Sequence, residues 1–111
     1  PGPASRHAAE ISGSGGTSPL MLQLRWSPLA ERDIDRIEHW LDRIDPALAD
    51  TAVGAILDRL RTLQTQPRIG TPLAGNRRKI IERRFGYLII YRLQTDAITI
   101  LRIRHQREDW G

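Results

Sequence analysis

The sequence predicts an α+β domain: an N-terminal strand, a helical hairpin, and a three-stranded antiparallel meander that completes a four-stranded sheet. Three patterns carry this reading. Leu22-Gln-Leu-Arg-Trp26 alternates apolar and polar residues, the period of a half-buried strand. Two apolar stripes at steps of three and four are separated by Asp45-Pro46, a signal that ends one helix and starts the next. Tyr87-Leu-Ile-Ile-Tyr-Arg-Leu93 and Ala97-Ile-Thr-Ile-Leu-Arg-Ile-Arg104 are dense in β-branched and aromatic residues and flank the polar turn Gln94-Thr-Asp96, so they form a hairpin. One layer of two helices over one face of a twisted, largely antiparallel sheet satisfies all three.

The elements follow in order. Residues 1–20 are rich in Gly, Ser and Pro without apolar period; they read as a flexible leader, an expression remnant or a native tail, outside the fold. The domain spans 21–111. The first strand puts Leu22, Leu24 and Trp26 on one face. Ser27-Pro28 then supplies an N-cap and a proline at the first helical position. Ile34, Ile37, Leu41 and Ile44 form the buried stripe of the first helix, and Glu31, Arg32, Asp35, Arg36, Asp42 and Arg43 its wet face. Ala49, Val53, Ile56, Leu60 and Leu63 form the stripe of the second, which ends before Pro67. Gly54 lies inside that helix, where a close helix–helix contact would account for it. Trp26 and Trp40 fit the apolar stripes and are expected in the core. Residues 68–76 read as loop throughout, 77–84 as a strand, and Gly70, Gly75 and Gly86 as turn residues.

Composition narrows the chemistry. The chain has 111 residues, enough for one small domain, and 40% of them are hydrophobic. There is no Cys, which excludes disulfides, thiolate catalysis and cysteine zinc sites. His7, His39 and His105 have no partner at metal-ligand spacing, so no metal and no cofactor are expected. No apolar run approaches the ~18 residues of a membrane span. No signal peptide is legible either, so the expected location is the cytoplasm.

Charge is unevenly distributed. The net charge is +4, yet residues 77–107 hold nine basic side chains against only Glu82 and Asp96. Sixteen of the seventeen basic residues are Arg, the side chain suited to forked contacts with carboxylate or phosphate. Arg77, Arg78, Lys79, Arg83, Arg84, Arg92, Arg102, Arg104, His105 and Arg107, with Trp110 just beyond, therefore form the candidate contact surface for an anionic partner. Positive charge on an edge strand also guards against aggregation.

Trp26-Ser-Pro-Leu-Ala-Glu-Arg-Asp-Ile34, the Asp45-Pro46 helix start, Pro67-Arg-Ile-Gly70, Tyr87-Leu-Ile-Ile-Tyr91 and Ile100-Leu-Arg-Ile-Arg-His-Gln-Arg107 together resemble the RelE/ParE superfamily, over 21–110. The resemblance implies the toxin of a type II toxin–antitoxin pair, with growth inhibition and plasmid stabilisation as its roles. It implies a cognate antitoxin as partner in a hetero-oligomer, and no membrane. RelE-like members cut mRNA on the ribosome; ParE-like members poison DNA gyrase. On the RelE-like reading Arg83, His105 and Arg107 would be the catalytic residues. RelE-like members commonly carry Arg after a Gly-Tyr pair, whereas this chain has Gly86-Tyr87-Leu88. That departure and the Tyr-Leu-Ile-Ile-Tyr run look more like ParE, a reading that assigns no catalytic residue.

Overall fold

Ser27 shows how the local sequence sets the architecture. In the computed structural model, which describes residues 21–107, its hydroxyl accepts the Ala30 N–H (3.0 Å) and donates to the Leu101 carbonyl (2.9 Å). One side chain thus caps helix α1 (Pro28–Ile44) and ties its start to strand β5 (Ala97–His105). Asp45 then serves both helices. Its N–H closes the last turn of α1 on Leu41 (2.8 Å), and its carboxylate caps α2 (Pro46–Thr65) at the Ala47 N–H (3.0 Å). The connection is that single residue. The predicted leader over 1–20 and Trp110 lie outside the described residues.

Strand β1 (Gln23–Trp26) runs parallel to β5, and β5, β4 (Tyr87–Leu93) and β3 (Arg77–Glu82) follow as an antiparallel meander. The sheet has five strands rather than four, because a two-residue β2 (Thr71–Pro72) pairs with β3 inside the segment read as loop. Pairing so short leaves no periodic trace in the sequence. Strand β3 ends at Glu82, so Arg83 and Arg84 belong to the turn that follows. A buried Glu82 carboxylate builds that turn, accepting the Arg84 and Phe85 N–H groups at 2.8 and 3.0 Å.

The core lies between the helix pair and one sheet face. Ile34, Ile37 and Leu41 of α1 and Ala49, Val53, Ile56, Leu60 and Leu63 of α2 meet Leu24, Ile80, Ile89, Ile98, Ile100 and Ile103. Tyr87 and Tyr91 are buried on that same face. The β4–β5 register steps from Ile90 opposite Arg102 to Tyr91 opposite Ile100, leaving Leu101 as a bulge. Two stripe positions depart from expectation: Trp40 and Ile44 are 58% and 61% exposed. Trp40 flanks the buried row and rims a groove, and Ile44 is the last residue of α1. Trp26, by contrast, packs partly buried against the core. Gly54 has no packing role either, since a Cβ built there meets nothing within 4 Å. Gly70 is the glycine that close approach demands: a Cβ would overlap the Tyr91 hydroxyl and come within 2.8 Å of the Lys79 carbonyl.

Three polar ties join the elements around the core. Gln64, buried on α2, donates its side-chain amide to the Leu22 carbonyl (2.9 Å), while its own carbonyl accepts the Leu22 N–H (2.9 Å). Tyr91 donates to the Pro67 carbonyl (2.6 Å) and accepts the Gly70 N–H (3.1 Å). Asp33, buried on α1, accepts from the Ile103 N–H (2.9 Å) and is gripped by the Arg102 fork at 2.8 and 3.2 Å.

These features fix three outcomes for the stability of the chain, each measured by urea unfolding. Gly54→Ala raises stability by about 0.5–1 kcal/mol, through helix propensity alone. Asp33→Ala lowers it by about 2–4 kcal/mol, because the buried Ile103 N–H and the half-buried Arg102 both lose their partner. Asp33→Asn, which keeps an acceptor for Ile103, loses less. Burial pushes the Tyr91 phenol above its ordinary value of 10.0, outweighing the Gly70 hydrogen bond and the Arg78 charge that pull it down. The unfolded phenol therefore ionises first. This contribution is complete below about pH 10 and is lost as pH climbs through the folded value. Tyr91→Phe flattens that alkaline decline.

Candidate functional site

Alternation along the strands sorts the candidate residues. The face turned away from the helices carries three cross-strand rows: Arg77–Arg92–Thr99, Lys79–Ile90–Arg102 and Ile81–Leu88–Arg104. Five predicted contact residues thus share one face. Between them lies a half-buried apolar strip of Ile81, Leu88 and Ile90. Leu88 sits at the position after Gly86-Tyr87, so no cation stands in the middle of this face. Arg102 is partly withdrawn from it, because its guanidinium is held by Asp33 of α1. Lys79 and Arg92 are exposed, while Arg77 and Arg104 are half-buried.

The remaining candidates lie elsewhere. His105 pairs with Tyr87 across β5–β4 on the helix side. The two rings stand edge to face at 5.3 Å. His105 Nδ1 accepts the Arg107 N–H (3.1 Å), which leaves the proton of the neutral ring on Nε2. Both residues open onto a groove of about 650 Å³ floored by Ile37, Leu41, Leu48 and Phe85 and rimmed by Trp40 and Arg36. The turn built by Glu82, which carries Arg83 and Arg84, brings Phe85 to this groove, and the Arg84 guanidinium lies 5.3 Å over the Phe85 ring. Gly86, at φ +83°, lets the turn pass His105, since a Cβ would come within 3.3 Å of Nε2.

A second cleft, of about 670 Å³, gathers Arg77, Arg78 and Arg92 with Arg68 at the opposite end of the sheet. Arg78 Nη1 donates to the Gly70 and Arg68 carbonyls at 2.8 and 3.1 Å. The candidates therefore occupy three places: the open sheet face, the groove at His105 and the arginine cleft. Chemically, the groove pairs an apolar floor with a titratable ring and cations at its mouth. Among the described residues, no three His, Asp or Glu side chains gather as metal ligands. No described helix is long and apolar enough to cross a membrane.

Sequence reasoning missed Asp33, Trp40 and Phe85 as parts of this geometry. A readable sign existed for Asp33. It follows Ala30 by three positions and precedes Ile37 by four, so it places a carboxylate inside an apolar stripe. Trp40 and Phe85 carry no such sign, because they meet at the groove only through the tertiary packing of α1 against the β3–β4 turn.

Comparison with known proteins agrees with this architecture. Toxin RelE3 of Caulobacter vibrioides is 33% identical over 90 residues, which is 79% of this chain and 98% of that protein. A solved chain from the chromosomal ParDE toxin–antitoxin system of P. aeruginosa superposes with a TM-score of 0.66 at 29% identity, covering 77% of this chain and 96% of that one. A chain of the Mycobacterium tuberculosis RelBE2 toxin–antitoxin complex shares the fold, with a TM-score of 0.54 at 21% identity over 82% of this chain and 98% of that one. Residues 24–110 match the family model described as the ParE toxin of the type II toxin–antitoxin system parDE. The chain accordingly belongs to the ParE toxin family, a type II toxin of the RelE/ParE superfamily.

Proposed function

We propose that this chain inhibits bacterial growth as a binding toxin of the ParE kind, with DNA gyrase as its target and a cognate antitoxin as its inhibitor. The observation that carries the reading is the apolar strip Ile81–Leu88–Ile90 in the middle of the open sheet face. Cleaving RNA by 2′-hydroxyl attack requires cationic donors at the pentavalent phosphate, where charge accumulates. This face keeps its cations at the margins, as a surface does when its centre is covered by apolar anchors and its rim by counter-charge. An antitoxin with an acidic, partly apolar segment suits both that face and the Trp40 groove. The structural neighbours, which come from toxin–antitoxin systems, support such a partner.

Two observations favour a second reading, a RelE-like ribosome-dependent endonuclease. His105 and Arg107 both line the groove, whose floor includes Phe85 of the turn that carries Arg83, and the curated relative bears the name RelE3. A His is suited to proton transfer near neutral pH. Two assays with purified toxin separate the readings. The expected result is inhibition of gyrase supercoiling, with mRNA left intact in a cell-free translation reaction. Codon-dependent cuts that disappear in His105→Ala, with supercoiling unaffected, establish the endonuclease instead.

A further inference from the structure

We propose that the arginine cleft at the β2–β3 end of the sheet is a phosphate-binding site. The proposal stands whichever toxin target is correct. Arg68, Arg77, Arg78 and Arg92 line the cleft, and Asn76, Gln94 and Thr95 add neutral donors; no Asp or Glu is among its lining residues. Asp96, which follows Thr95, is exposed and does not line the cleft.

Two of the guanidinium groups are held in place by backbone. Arg78 is anchored through Nη1 to the carbonyls of Gly70 and Arg68. Arg77 is anchored through Nε to the Ala74 carbonyl (2.9 Å). Each retains further N–H groups for a ligand, and each has already lost its rotamer freedom, which lowers the entropic cost of binding. The connection itself is stiff. Leu73 N–H closes on the Arg77 carbonyl (2.7 Å), and Gly75 and Asn76 take left-handed φ values of 73° and 62°.

The strand register places Arg77 directly opposite Arg92. Like charges in that position repel. Arg92 is exposed and makes no side-chain hydrogen bond or ion pair to the described residues. An anion lodged between the two converts the repulsion into attraction. A phosphate ester fits better than an acidic peptide. The apolar members of the cleft are only Pro72, Leu73 and Leu93, whereas a peptide draws most of its affinity from apolar anchors. Phosphate oxygens accept from several arginine forks at once. No aromatic ring lines the cleft to stack on a base, which favours the phosphodiester backbone of nucleic acid over a free nucleotide.

The test uses the full chain, a fluorescent short DNA duplex read by anisotropy across a salt series, and NMR titrations with inorganic phosphate and deoxyadenosine monophosphate. Arg77→Gln and Arg92→Gln are each expected to weaken duplex binding about threefold to tenfold and to lower the salt slope by about one. Arg43→Gln, which removes the same charge from the exposed face of α1, changes affinity by less than about twofold, as expected of non-specific attraction. Arg92→Lys, which keeps the charge without the fork, falls between. Duplex binding far above monophosphate binding identifies the nucleic-acid backbone as the source; equal binding per phosphate identifies a free phosphate ester. The proposal is overturned if the cleft variants behave like Arg43→Gln, or if oligoglutamate of matched charge binds the cleft as tightly as the duplex.

Discussion

The arrangement depends on one carboxylate at the edge of a strand. Parallel pairing with β1 covers β5 only as far as Ile100. Beyond that point the Ile103 N–H would face a buried edge without a ladder partner, a deficit of several kcal/mol in a dry interior. Helix α1 occupies the space, and Asp33 takes that N–H. Burying a carboxylate is itself costly unless it is fully bonded. Arg102 and, at 3.6 Å, Arg36 complete its shell. Because Asp33 lies on the same helix as Ile37, Trp40 and Leu41, its hold on β5 also fixes those groove residues against His105, two positions beyond Ile103.

That contact has a consequence for charge. Arg102 belongs by register to the open face, but its guanidinium is held by Asp33. Glu82, the one acid of β3, is likewise absorbed, its oxygens facing N–H groups of the turn. Of the two acids within the basic segment, Glu82 is thus engaged by backbone, and Asp96 is exposed. The sheet keeps an excess of positive charge, which raises the encounter rate with an anionic partner and repels the wrong one.

Local chemistry was legible and tertiary chemistry was not. Ser27-Pro28 and Asp45-Pro46 announced both helix starts because capping is decided within four residues. The stripe of α2 and the β4–β5 hairpin were readable for the same reason, since each is periodic over several turns or pairs. What escaped depended on distant neighbours. Strand β2 exists because Thr71 and Pro72 meet β3, and Trp40 is exposed because it flanks the buried row of α1 and lines the groove. Gly54 misled in the opposite direction: it invited a packing explanation, and space is open around it. The candidate contact residues form one basic segment in sequence, but a strand alternates its side chains. Contiguous Arg77, Arg78 and Lys79 therefore cannot all lie on one face of the sheet, although Arg77 and Arg78 both reach the cleft at its end. The structure accordingly sends Arg78 to the carbonyls of the 68–70 segment while Arg77 and Lys79 stay on the open face.

The distribution of arginine forks separates two kinds of work. A fork committed to a carboxylate within the fold, as at Arg102, adds rigidity and loses most of its reach toward a ligand. A fork braced by backbone carbonyls, as at Arg77 and Arg78, keeps its charge uncompensated and has further N–H groups to donate. Only the second kind is prepared for an anion, because its ordering entropy is spent during folding and its charge is not. The sheet has both kinds, one at the α1 edge and one at the β2 edge. A partner that reads this surface by charge is therefore drawn toward β2, while apolar contact is offered by the strip at Leu88 and by the groove at Trp40.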